Sequence, residues 1–367
     1  MIISKAPMPD RLFTLDVLRG LAALSVVFFH WQHFFYDCRA IESFKTENQP
    51  FFSLFSIFYT HGSLAVELFF SISGFVFFWL FLSKISEKKI SALSFTVDRF
   101  SRLYPLHFFT FITVMLLQFV YIKSHGDFFV YRTNDAYHAL LNLLLVPAWG
   151  FEYDWSFNAP IWSVSVEILL YAIFFLICLS GRAKYMLTPI LIGAGYYLIE
   201  ISPKVGTGVF SFFCGGMAYI VINLASTHVA TKISLVVSTI LTFVAWVYVY
   251  QSPALNMYTL MGLAFPLSVC ALVSANMAYP NFLRKLSPIG DISYSTYLLH
   301  FPLQIVFACI TDKLGFDRAI YYNPAMLILF VAVLLVLSIS SHKFFEAPIQ
   351  QTIRSAFKKR AVRLDSI

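Results

Sequence analysis

LDVLRGLAALSVVFFH, residues 15–30, is apolar almost throughout, yet it carries Asp16 and Arg19 near its start and closes on His30. The apolar run extends to 13–35. About 20 such residues let an α-helix cross the ~30 Å hydrocarbon layer of a bilayer. A cleavable signal is shorter, ends on small residues and does not hold an acidic and a basic residue in its first half. The segment therefore reads as a retained first span. Nine more apolar runs follow at 62–82, 104–122, 163–180, 185–200, 206–224, 233–250, 254–274, 294–312 and 324–342.

Composition agrees. Hydrophobic residues make up 59% of the 367-residue chain and charged residues 12%. A soluble domain carries about 25% charged residues, so polar surface is too scarce here for water to be the main solvent. Inside lipid every backbone polar group must be paired within the protein, which leaves helices or a closed barrel. Barrel strands alternate apolar and polar residues, and these runs do not. The expected fold is all-α: a polytopic membrane protein of about ten transmembrane helices.

The stretch from Ala139 to Gly150 is apolar but too short to span, and it carries Pro147, so it reads as re-entrant or interfacial. No internal repeat or low-complexity linker is present. Residues 1–350 read as one membrane domain and 351–367 as a basic cytoplasmic tail. Lys and Arg concentrate in the segments that are cytoplasmic if both termini are inside, including Lys84, Lys88, Lys89, Arg99 and Arg102 and the C-terminal run from Lys343 to Arg363. By the positive-inside rule this predicts N-in and C-in, with the 123–162 loop outside. The five cysteines (Cys38, Cys178, Cys214, Cys270 and Cys309) show neither a disulfide framework nor metal-ligand spacing, so no metal is expected. No nucleic-acid motif appears.

An ionisable group at mid-membrane costs roughly 2.5–3.5 kcal/mol, so each one asks for a reason. On the first span, Asp16 and Arg19 are three apart and can pair on one face. Arg19 and His30 are three turns apart, on the order of 16 Å along the axis. Glu67 enters the second span from outside, with Ser71 on the same face, and Ser73-Gly74 would let helices approach closely. Arg99 and Arg102, in RFSRLYP, share a face at the cytoplasmic boundary, and paired guanidinium groups suit phosphate. Glu167 lies four residues after Ser163 in WSVSVE. His300 lies about six residues into the ninth span, in the inner half, and Pro302 frees a backbone carbonyl near it. Glu346, in FFEAP, ends the tenth span.

Each feature alone has an ordinary account. These are a local ion pair with a capping histidine, a packing motif with a snorkelling carboxylate, positive-inside anchoring, an interfacial belt, and a histidine bonded to loosened backbone. Together, His30, Glu67 and Glu167 fall near one outer level and a basic cluster falls inside. An enzyme with a cytoplasmic phosphate-bearing donor and an outer acceptor needs both. A transporter or flippase for a glycan or anion would also line a pathway with such groups, although internal repeats would favour it. A regulatory membrane scaffold would need fewer of them.

These blocks, in this order, resemble the acyltransferase-3 family of integral membrane acyltransferases. Its hallmark, an arginine and a histidine separated by ten residues on the first helix, is matched by Arg19 and His30. ELFFSISGF from Glu67, RFSRLYP from Arg99, WSVSVE to Glu167, YSTYLLHFP with His300 and FFEAP with Glu346 match further blocks. The resemblance implies transfer of an acyl group, usually acetyl from acetyl-CoA, to hydroxyls of cell-surface or exported glycans, in a bacterial inner membrane. No bound cofactor is implied; acyl-CoA is a substrate. Some members add an extracytoplasmic hydrolase-like domain. None is expected here, so transfer would finish within the membrane domain.

In that scheme His30 is the general base, with Glu67 or Glu167 to orient it. Arg19 meets the donor or stabilises the thioester oxyanion. Arg99 and Arg102 hold the CoA phosphates, and His300 lies nearer the donor. A covalent acyl-histidine is the alternative route.

Overall fold

A computed structural model describes residues 8–36, 44–252 and 256–365, with side chains to residue 359. Cys38, named above, lies outside the described residues. Fifteen helices follow in order: α1 (Phe13–His30), α2 (Phe52–His61), α3 (Ala65–Ser86), α4 (Ala92–His125), α5 (Ala136–Leu143), α6 (Trp162–Leu179), α7 (Lys184–Ile201), α8 (Pro203–His228), α9 (Thr231–Gln251), α10 (Met257–Thr259), α11 (Phe265–Ala278), α12 (Pro288–Asp291), α13 (Ser293–Lys313), α14 (Pro324–Ser341) and α15 (Ala347–Asp365). Among the described residues there is no strand.

The protein is an all-α polytopic membrane protein. Eight helical stretches among the described residues are long and apolar enough to cross a bilayer. The other two expected spans are helical as well, as α7 and α13, but more polar. α7 carries Lys184 and Glu200, and α13 carries His300 and Gln304, both fully buried. α9 shows why lipid is the solvent. Ile233, Val236, Val237, Ile240, Phe243 and Val244 all face outward, each about half exposed or more. A soluble monomer rarely exposes such a contiguous apolar patch.

The helices sort into two compact units. The first comprises residues 1–22, 64–90 and 166–291. Its centre is the α3–α8 pair. A Cβ on Gly74 would collide with the Phe212 carbonyl, and one on Gly215 with the Ser71 carbonyl. The close approach expected from Ser73-Gly74 is therefore present, and small residues are what allow it. Leu12, Leu15, Ile72, Phe75, Ala218, Val269 and Val273 fill the adjoining core. Gly290 packs on the Asp16 backbone.

The second unit comprises residues 23–63, 91–165 and 292–367. Its core gathers Trp31, Phe34, Phe111, Phe129, Phe301, Tyr321 and Phe330 around α4, α13 and α14. α4 has 34 residues, so it is about 50 Å long at 1.5 Å per residue, and both ends clear a ~30 Å hydrocarbon layer. Arg99 and Arg102, expected before the third span, lie on its first turns. Ser91 caps its N-terminus, and Gly126 ends it at φ 79°. The short apolar stretch after Ala139 begins within α5, which Asp135 caps, and continues into a 3-10 turn at Pro147–Trp149. The expected tail is helical through Asp365, as α15, which packs on α4.

Candidate functional site

In the second unit α1 ends at His30 and the chain tightens into a 3-10 helix, Trp31–Phe35. That turn places His33 beside His30, with stacked rings and centroids 4.6 Å apart. On α13, Pro302 has no N–H to give the Leu298 carbonyl, and Asn158 Nδ2 takes that carbonyl at 3.1 Å. The loosened backbone is thus satisfied from the 123–162 loop rather than by His300. The His300 ring instead lies against His30, with planes 6° apart and centroids at 5.0 Å.

His30 Nδ1 and His300 Nε2 are hydrogen bonded at 2.9 Å. This corrects the expectation that His300 lies at a separate, inner level. Counting depth from the first residue of a span assumes that all spans begin in one plane, and the contact between His30 and His300 does not follow that count.

The direction of this bond follows from its neighbours. His300 Nδ1 is 2.6 Å from the Tyr297 carbonyl. A carbonyl only accepts, so Nδ1 carries the proton, and in the neutral ring Nε2 holds the lone pair. His30 Nδ1 is then the donor, which leaves His30 Nε2 unprotonated. A second backbone carbonyl orders His33 in the same way. Gln304 Nε2 donates to the His30 carbonyl at 2.7 Å. Gln304 Oε1 therefore faces His33 Nδ1, at 3.1 Å, as acceptor. Tyr131 OH approaches His33 Nε2 at 3.5 Å. Tyr297 OH donates to the Pro160 carbonyl at 2.8 Å and lies 2.9 Å from Ser163 Oγ.

Nδ1 is the nitrogen that a carboxylate would orient in a triad, and here His300 occupies it. Glu67, Glu167 and Arg19 all belong to the first unit. Glu167 accepts from Ser73 Oγ at 3.0 Å and from Tyr171 OH at 2.6 Å. Glu67 is buried, and its Oε2 lacks a hydrogen-bond partner, as does the Ser71 hydroxyl one turn on. The Asp16–Arg19 neighbourhood gains further partners. Arg11 bonds Asp16 at 2.6 Å and Asp291 at 2.7 Å, and Arg19 stands within electrostatic reach of Asp16.

The basic cluster lies at the N-terminal end of α4, in the second unit. Arg99 pairs with its neighbour Asp98, and Arg354 from α15 pairs with the same carboxylate. Arg102 is exposed on the next turn. Glu346 accepts from Ser295 Oγ, and from Ser341 Oγ at 3.1 Å, where α14 passes through a π-turn, His342–Glu346.

Sequence reasoning counts His33 among the ionisable groups of the first span without giving it a partner, and it missed Gln304, Asn158 and Arg354 as members of these groups. For Gln304 the signal was four-residue spacing from His300 on an apolar span. Arg354 had no signal beyond its charge. In the 123–162 loop, Asp135 accepts from the His138 backbone N–H and ring, and from Tyr153 OH at 2.8 Å. These bonds, the backbone one first, hold its carboxyl down at about 2.

A family model described as an acyltransferase domain, acyltransferase-3, matches residues 12–341. The chain belongs to the acyltransferase-3 family. Among curated proteins it is 33% identical over 173 residues to the acyltransferase MdmB of Streptomyces mycarofaciens, covering 46% of this chain and 40% of that one. It is 29% identical over 188 residues to protein 2 in the picA locus of Rhizobium radiobacter, covering 47% of this chain and 84% of that one. The match thus spans less than half the length of MdmB. No solved structure matches the chain.

Proposed function

We propose that this protein is a multi-pass inner-membrane O-acyltransferase that moves an acyl group, acetyl in the simplest case, from acyl-CoA to a hydroxyl of a cell-surface or exported glycan. One observation carries the reading: the His30–His300 hydrogen bond, whose direction is set by the Tyr297 carbonyl. It leaves a lone pair on His30 Nε2, and a general base needs one there.

A sugar hydroxyl is a weak nucleophile at neutral pH. As its oxygen forms a bond to the thioester carbonyl carbon, Nε2 takes the proton, a contribution of roughly 10²–10⁴-fold. The C–S bond then breaks, and the departing thiolate takes the proton back from Nε2. His30 is cationic between these steps. Its Nδ1–H bond to His300 is then charge-assisted and about twice as strong as a neutral bond. The pair therefore favours the transition state over the ground state, as catalysis requires. In this reading His300 is a positioning residue rather than a donor ligand.

Arg19 is eleven residues before His30 on α1, about 16 Å along the axis. In this reading Arg19 meets an extended donor rather than the oxyanion. Arg99 and Arg102 are the proposed ligands of the CoA phosphates.

The test uses purified protein in lipid nanodiscs, supplied with acetyl-CoA and a glycan acceptor. Wild type should release CoA thiol and acylate the acceptor, and His30→Ala should do neither while still binding CoA. Surface glycans from cells lacking the protein should lose an acyl mass. Wild-type protein that consumes no thioester would overturn the assignment.

A further inference from the structure

α15 lies beyond the family-matched region, which ends at residue 341. It nevertheless returns to the start of α4 and sets Arg354 on Asp98, the carboxylate that Arg99 also uses. Arg354 lies within electrostatic reach of both Arg99 and Arg102. Three guanidinium groups therefore share a small region with one aspartate between two of them. Glu346, the next carboxylate, is within reach of Arg102 but is engaged by two serine hydroxyls. Arg354 Nε is buried without a hydrogen-bond partner.

Like charges held this close repel, and a solvated anchoring role does not call for converging them. A ligand bearing several phosphates would neutralise the cluster and occupy its remaining donors, since each guanidinium offers a planar fork that suits phosphate oxygens. Asp98 would keep two of the forks oriented when no ligand is bound.

We propose that Arg354 is a third phosphate ligand, so that α15 completes with Arg99 and Arg102 a three-arginine site for a polyphosphorylated ligand. The proposal rests on the acyl-CoA reading, under which the ligand is the phosphate-bearing end of the donor. Phosphate of an anionic lipid headgroup has the same chemistry, and the experiment separates the two.

Arg354→Gln, which keeps helix propensity and removes the charge, is compared with wild type in nanodiscs of phosphatidylcholine alone. The donors are acetyl-CoA and S-acetylpantetheine, the latter with the same thioester and no phosphate. Loss of one charge-assisted contact should lower the ratio of kcat/KM for acetyl-CoA to that for S-acetylpantetheine about 10-fold. Arg354→Lys, with charge but no fork, should fall between. A lesion that only disturbs packing lowers both donors and leaves the ratio unchanged, which overturns the proposal. An effect seen only after phosphatidylglycerol is added assigns the site to lipid and overturns the donor reading of α15. His30-dependent transfer from S-acetylpantetheine tests the acyl-transfer reading separately, because it needs no phosphate site.

Discussion

Replacing His300 is the sharpest test of the paired-histidine site. The side chain is fully buried, and its ring nitrogens meet the Tyr297 carbonyl and His30. In His300→Ala, His30 Nδ1 loses its acceptor and the productive tautomer is no longer enforced. A neutral hydrogen bond contributes about 0.5–1.5 kcal/mol and one to a charged group about 1.5–3 kcal/mol. The bond is neutral before proton transfer and charged during it, so the difference, about 1–1.5 kcal/mol, should lower kcat about 5- to 15-fold. An aspartate in this position can be worth about 10⁴; a neutral imidazole should be worth less. His300→Gln places an amide oxygen near the lost nitrogen and should recover most of the activity. The donor KM should stay put in both variants. The assay is acyl transfer in nanodiscs, with CoA affinity measured alongside, and ¹⁵N shifts of labelled histidine should report the Nδ1–H form of His30 in wild type only. If His300→Ala keeps kcat and raises the donor KM, His300 is a donor ligand and the tautomer argument fails. If His30→Ala stays active while His300→Ala does not, the base is on α13.

Further outcomes follow from other parts of the molecule. Gly74→Ala puts a methyl group against the Phe212 carbonyl and should destabilise the α3–α8 pair by on the order of 3 kcal/mol, read as a lower Tm in nanodiscs; an unchanged Tm would mean that the helices separate freely. Glu167→Gln weakens bonds from Ser73 and Tyr171, and thermal unfolding should show a loss of roughly 1–2 kcal/mol. Asp135, held at about 2 when folded against the usual ~3.9 unfolded, contributes stability above pH ~4 that disappears as pH falls through about 2. Proteolysis of the 133–157 segment should rise over that window in wild type, and Asp135→Asn should already be sensitive at neutral pH. Reporter fusions should place Lys88 inside and Arg132 outside, and an externally accessible Lys88 would reverse the expected orientation.

The fold was legible because lipid leaves so few options. An apolar run of span length must be a helix, and the described residues of all ten runs fall largely on helices. What was not legible is which polar groups meet. Intrahelical spacing put Asp16 with Arg19, yet Arg11 and Asp291 complete that pair, because partners distant in sequence compete on equal terms once helices pack. The same limit separated His30 from His300. Each helix has its own tilt and starting depth, so residue count along a span does not measure height in the bilayer. The bond between them joins residues 270 apart, and no periodicity encodes that. Its direction, however, follows from elementary chemistry once the rings are placed, because backbone carbonyls cannot donate. Tyr297 and His30 supply those carbonyls through main-chain atoms, which no side-chain motif records. Arg354 was hidden for a different reason. A basic residue after the last span already has a sufficient explanation in the positive-inside rule, and only the return of α15 to Asp98 distinguishes a ligand-ready guanidinium from an anchoring one.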